Sequence, residues 1–230
     1  MSPAALVPLV PLMILAATPI VVMLVIAVHR SHWITVLLSS IGLAGAFISL
    51  LPTSSAAAGQ VGMLLIMDGF ARFYIGLLIT AGLAAVLLSY GYLQPYEGHR
   101  EEYYILMLLA VLGSTVIVAS RHFASFFLGL EILSIALYAL IAYPRLKAVG
   151  IEAALKYLVL AATSAAFLVF GMALIYAVTG NMELSGPAAF IQGIPAGRVS
   201  LPVVTGLVLL LVGIGFKLAV ATIEFIPGTS

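Results

Sequence analysis

FASFFLGLEILSIALYALIAY, residues Phe123–Tyr143, is an apolar run with one carboxylate, Glu131, near its middle. A bilayer span needs about 20 mostly apolar residues, so this stretch qualifies. A charge at that depth costs at least ~2.5–3.5 kcal/mol on insertion scales, so Glu131 must be compensated or protonated. At 100° per residue, Ser134 and Tyr138 fall within about 60° of Glu131, so the polar atoms share one stripe. Intramembrane ionisable groups mark ion or proton paths by default. The structural alternative is a carboxyl hydrogen-bonded to a neighbouring helix.

The rest of the chain has the same character. Of 230 residues, 64% are hydrophobic and 7% charged, and mean hydropathy is +1.27. Soluble domains carry about 25% charged residues, so a soluble fold is excluded. The apolar runs are too long and unbroken for barrel strands, which leaves an all-α polytopic membrane protein. Net charge is +1, from eight acidic and nine basic side chains, the latter spread singly along the chain, and gives no footprint for nucleic acid.

Cysteine is absent, which excludes thiolate-held iron–sulfur clusters, c-type haem attachment and disulfides within this chain. His29, His32, His99 and His122 all sit near the ends of apolar runs. Axial ligands of a membrane b-type haem would be expected within the spans. The N-terminus, MSPAALVPLVPLMILAATP, has no basic n-region and reads as the approach to a first span.

Seven spans are expected, at Leu6–Val28, Trp33–Leu51, Phe70–Tyr90, Tyr103–Ser120, Phe123–Tyr143, Ala153–Val178 and Leu201–Ile223. The linkers hold the breakers and charges: HRSH at 29–32, PTSSAAAGQ at 52–60, QPYEGHREE at 94–102 and PRLKAVG at 144–150. Thr179–Ser200, which contains Gly180, Pro187, Gly193, Pro195 and Gly197, reads as a surface loop. Only Arg121 and His122 separate the fourth and fifth spans, which predicts a tight antiparallel hairpin. Arg30, Arg100, Arg145 and Lys147 lie on one side, and Arg72, Arg121 and Arg198 on the other. The positive-inside rule then puts the N-terminus outside.

Two further polar clusters interrupt the apolar pattern. In the sixth span Glu152 and Lys156 stand at i,i+4, and Thr163 lies on the same face two turns later. Lys156 is close enough to the end of the run to snorkel to the interface, so a surface role and an interior role both stand. In the seventh span Lys217 follows a long uncharged stretch and faces the same desolvation as Glu131. Burial lowers a lysine pKa and a nearby carboxylate raises it, so such a group can exchange a proton when its partner's charge changes. Gly206, Gly213 and Gly215 leave room for close helix contact. From the run boundaries, Glu131 and Lys217 differ in depth by roughly 12 Å at 1.5 Å per residue.

FFLGLEILSIALYAL, AALKYLVLAATSAAFLVFGMALIYAVTG and GIGFKLA, with the earlier MDGFARFY at 67–74, resemble the antiporter-like subunits of respiratory complex I. The similarity is greatest to the subunit N branch of NADH-quinone oxidoreductase (subunit 2 in mitochondria), and covers about Met63–Val220. The resemblance implies a proton-translocating subunit with a fourteen-helix fold built on two inverted five-helix repeats. It also implies that Glu131 and Lys217 form a charge pair on the proton path, with Lys156 in the KY motif on the same path. Ser134, Tyr138, Glu152 and Thr163 would support these three. NADH, flavin, iron–sulfur clusters and quinone would belong to other subunits of a membrane complex, and this chain would hold no cofactor or metal. Its partners would be the other membrane subunits and the lipid bilayer.

Family members usually continue after FKLA into a segment like PFHxWxPD, whereas this chain reads VATIEFIPGTS. The expected organisation is therefore residues 1–62 as two N-terminal spans, 63–220 as an incomplete first repeat of the antiporter-like domain, and 221–230 as a divergent tail. A truncated or split subunit follows as the expectation. Two alternatives stand beside it. One is a subunit of a multisubunit cation/proton antiporter or membrane-bound hydrogenase, and the other a non-transporting membrane scaffold.

Overall fold

Backbone N–H and C=O groups find no partner in hydrocarbon, so each apolar run must satisfy its own as a helix. A computed structural model describes residues 7–51, 59–95, 98–143, 148–185 and 200–223. Among them, seven helices are long and apolar enough to cross a membrane. They are α1 (Val10–Val28), α2 (His32–Leu50), α3 (Gly69–Leu93), α4 (Glu101–Ala119), α5 (Phe123–Ile141), α6 (Ala148–Thr179) and α7 (Leu201–Ile223). The chain is an integral membrane protein. Arg145, Lys147, Arg198, residues 186–199 of the long loop and the tail from 224 lie outside the described residues.

Hydropathy located the spans but not all their ends. α6 begins at Ala148, inside the stretch expected to be a linker, and α4 begins two residues before its apolar run, at Glu101. Glu101 and Glu102 occupy the first turn of α4, where the positive end of the helix dipole favours them. α3 is capped by Asp68, whose carboxylate accepts from the Ala71 N–H at 2.7 Å. Pro19 sits inside α1, where it removes one intrahelical donor.

The structure also contains two short strands that the sequence did not announce. β1 (Gly59–Val61) pairs antiparallel with β2 (Leu65–Met67), and Gly62 supplies the positive φ of 72° in the loop between them. Three-residue strands are too short to carry a legible alternation. Leu65 bridges to Ser120, which ties this hairpin to the end of α4.

The chain divides into two units. The first comprises residues up to Ser120 together with Leu128–Leu140 of α5. In it α1 packs on α2 and α4, and α3 packs on the same two helices. Leu15, Leu43, Ile75, Ile79, Tyr104 and Leu108 are fully buried at its centre. α5 meets α4 backbone to backbone: a Cβ built on Gly113 would lie 2.6 Å from Leu133 N, and one on Gly129 would lie 2.9 Å from Ile117 N. The expected close pairing of the fourth and fifth spans is present.

The second unit comprises Arg121–Phe127 and the chain from Ile141 on. Its centre is the pair α6 and α7. Gly206 lies against Gly171, and Gly213 against Leu168 and Ser164, so the two helices run antiparallel. Gly180, at φ +65°, ends α6 by donating its N–H to Tyr176 O at 2.8 Å. The chain then pairs with the start of α5. Phe123 N–H donates to Met182 O and Leu184 N–H to Arg121 O, both at 2.9 Å.

Candidate functional site

Glu131 is the ninth residue of α5 and belongs to the first unit. α5 presents Gly129 and the backbone of Leu133 to α4. Two residues further on is about 200° around the helix, so Glu131 projects from the side of α5 opposite α4. Its side chain is half-buried there. Ser134, on the same flank, is buried and donates its hydroxyl to Leu130 O at 2.7 Å. That serine hydrogen therefore serves its own helix. Tyr138, one turn on, is half-buried. The stripe expected from the sequence is present on a continuous helix.

Lys217 is the seventeenth residue of α7 and belongs to the second unit. Gly206, Leu210 and Gly213 form the face of α7 that meets α6. Lys217 follows them at the i+4, i+7 and i+11 spacing, so it extends that face. Continuing the antiparallel register from Gly213 opposite Ser164 puts Lys217 level with about Ala161 of α6. Ser164 and Tyr157 are both buried on this part of α6. Lys217 thus lies on the face of α7 that meets α6 nearby, and its side chain is half-buried.

Lys156 lies about five residues, or roughly 7 Å, toward the start of α6 from that level. Its ammonium is 2.6 Å from the Glu152 carboxylate, and the two side chains are 70% and 66% exposed. The i,i+4 pair expected from the sequence is formed, on an exposed flank of the unit. Thr163 shares that flank and donates to Val159 O at 2.9 Å. Among the sequence-expected residues, the structure joins Glu152 to Lys156 directly. Glu131 stands in one unit, and Lys156 and Lys217 in the other. No group of three or more His, Asp or Glu side chains able to hold a metal occurs among the described residues.

Two polar constellations were not legible in the sequence. In the first unit His32 Nε2 and Tyr104 Oη share a hydrogen bond of 2.8 Å, and the His32 ring stacks on Tyr90 with centroids 4.8 Å apart. Beside them Arg30 pairs with Glu102 at 3.4 Å and donates to His99 Nδ1. In the second unit Arg121 meets both oxygens of Glu183 at 3.3 Å. His122 immediately precedes α5 there, with its Nδ1 accepting from Ala124 N–H at 3.1 Å. Each of these constellations joins residues more than 60 positions apart, so no local spacing could reveal it.

Residues 120–225, which contain Glu131, Lys156 and Lys217, match the sequence model of the NADH:quinone oxidoreductase/Mrp antiporter transmembrane family. The fold is similar to a chain of respiratory complex I from Thermus thermophilus, solved with bound aureothin. That similarity covers 91% of this chain at 33% identity and a TM-score of 0.73. A chain of the membrane-bound sulfane sulfur reductase, an archaeal respiratory membrane complex, matches over 92% at 24% identity and a TM-score of 0.68. A chain of the Mrp complex from Dietzia sp. DQ12-45-1b matches over 94% at 17% identity and a TM-score of 0.74. The last two share the fold alone. The present chain spans 44%, 44% and 41% of those three chains. Its fold is that of the antiporter-like membrane subunits, over about half of their length.

Proposed function

We propose that this chain, with its antiporter-like membrane fold, contributes a proton half-channel to a membrane complex of the NADH-quinone oxidoreductase type. The observation that supports this reading most is the position of Lys217. An ammonium deep in an apolar helix lies on the helix face turned toward protein, among small residues that bring a second helix close. A snorkelling lysine would leave that face for the interface. Glu131, half-buried on the flank of α5 turned away from α4, would be its counterpart on the path. Proton transfer along such a path needs each group to change charge as its neighbour does. NADH, flavin, iron–sulfur clusters and quinone would be held by other subunits, and the other membrane subunits would be the partners. The distribution of Arg and Lys fits an N-terminus outside, and a bacterial inner membrane would be the location.

The test is proton uptake by vesicles containing the assembled parent complex, driven by that complex's own substrate. Glu131→Ala and Lys217→Ala should each abolish most uptake, and Glu131→Asp should be milder. Removing one member of a buried pair costs about 3–5 kcal/mol or forces the other to neutralise, and either outcome stops the charge switching. Lys156→Ala should be weak if the exposed pair with Glu152 is structural. Full uptake in an assembled Glu131→Ala complex overturns the proposal.

A second reading, cation/proton exchange, is supported by the family match, whose description covers Mrp antiporters as well as NADH:quinone oxidoreductases. Uptake that depends on sodium and is independent of any quinone would favour it.

A further inference from the structure

Three residues, His29, Arg30 and Ser31, carry the chain from the end of α1 into α2. Arg30, in the middle of this turn, holds it to the segment that opens α4. Its guanidinium lies 3.4 Å from Glu102 and donates to His99 Nδ1, partners 72 and 69 positions away.

The second of these contacts fixes a protonation state. An arginine guanidinium has donors only and stays charged in proteins. Its partner must accept, so the bond exists only while His99 Nδ1 carries no proton and the ring hydrogen sits on Nε2. Adding a proton turns that acceptor into a donor and sets a second cation against Arg30. Histidine is the side chain that changes charge between about pH 5 and 8.

The neighbouring contact between the same two segments lacks this sensitivity. His32 Nε2 and Tyr104 Oη are 2.8 Å apart. A phenol oxygen both accepts and donates, so neutral and charged rings can each keep this bond. The other charges near His99 are Glu102, across Arg30, and Arg100 and Glu101, next along the chain. None of these changes charge over the histidine range. His29, exposed on the turn, is the remaining histidine at this end; Glu97 lies outside the described residues.

We propose that His99 is a pH-dependent latch on the α1–α2 turn. Neutral, it accepts from Arg30 and holds the turn to the start of α4. Protonated, it releases Arg30 to Glu102 and solvent, while His32 keeps the start of α2 against Tyr104.

The chain contains no cysteine, so His29→Cys offers one site for a nitroxide label and removes the second exposed histidine of this end. Electron paramagnetic resonance of the full chain in liposomes, at about pH 8 and about pH 5.5, brackets the histidine range. The ratio of mobile to immobile label should rise about two- to ten-fold on acidification, the equilibrium factor of one hydrogen bond. His99→Gln, whose amide oxygen accepts at every pH, should hold the ratio low throughout. His99→Ala should give the high ratio at both pH values, and His32→Gln should leave the response in place. Circular dichroism checks the fold of each variant. If the labelled chain misfolds, hydrogen exchange of the turn in the unaltered chain, corrected for the intrinsic effect of pH, reads the same opening. Equal opening at the two pH values with His99 present overturns the latch. So does an undiminished response with His99→Gln, or a response lost with His32→Gln.

Discussion

Gly171 of α6 and Gly206 of α7 each occupy the space that the other's Cβ would need. A Cβ on Gly171 would lie 2.7 Å from Gly206 O, and one on Gly206 would lie 2.8 Å from Gly171 O. Both obstacles are backbone, which cannot rotate away. In a bilayer, where lipid tails are as apolar as leucine, helix association rests on such close packing.

Gly206→Leu should therefore force the helices apart and destabilise the second unit by about 1–3 kcal/mol or more, the range for overpacking. Gly215, two turns nearer the C-terminus, has nothing within 4 Å of its missing Cβ. Gly215→Leu should leave thermal unfolding in detergent unchanged. Identical melting of the two variants would disprove the interlock.

His32 should matter to the first unit in two separable ways. Its hydrogen bond with Tyr104 is worth about 0.5–1.5 kcal/mol, and its stacking on Tyr90 about 0.5–1.5 kcal/mol. His32→Ala loses both and should lower the melting temperature more than His32→Phe, which keeps a ring. Hydrogen exchange should show the loss in α3 and α4, with α6 and α7 unaffected.

The Arg121–Glu183 pair is partly exposed, with side chains 24% and 32% accessible. Screening holds such pairs to about 0–1 kcal/mol. Glu183→Gln should accordingly change stability little. The backbone bonds of Phe123 and Leu184 should stay protected from exchange, because they do not depend on the side chains. Fast exchange at both amides in this variant would show that the ion pair holds the segment.

For the proposed path, the double variant Glu131→Ala, Lys217→Ala should take up protons no more slowly than the worse single variant. Residues that act as one unit are not additive. Uptake falling by the product of the two single effects would mean that they act independently.

The seven spans were legible because the bilayer requires long apolar runs, and that signal survives without any knowledge of neighbours. The Glu152–Lys156 pair was legible for a different reason, since one helical turn brings i and i+4 together. Gly206 and Gly213 stood out as small residues, but Gly171 did not, because its role exists only once α6 and α7 are in register. The opposite outcomes for Gly213 and Gly215 have the same cause: two residues rotate the chain by about 200°, out of the contact. The ion pair of Arg121 with Glu183 spans 62 residues, and the hydrogen bond of His32 with Tyr104 spans 72. Composition carries no trace of such distances. The start of α6 was misplaced because hydropathy reports where lipid begins, whereas the helix continues wherever its hydrogen bonds do.

The glycine interlock also bears on how the chain is made. α7 carries Lys217 on the same face as Gly206 and Gly213, so by itself it would offer the lipid a charge and a strip of thinly covered backbone. A lysine inside a lone span costs up to about 2.5–3.5 kcal/mol to insert, the figure for the centre of the helix. α6 leaves the ribosome first and brings the complementary surface, so α7 should enter the membrane as the second half of a hairpin. In a translocation reporter, α7 following α6 should integrate more completely than α7 alone, and Gly206→Leu should erase the advantage.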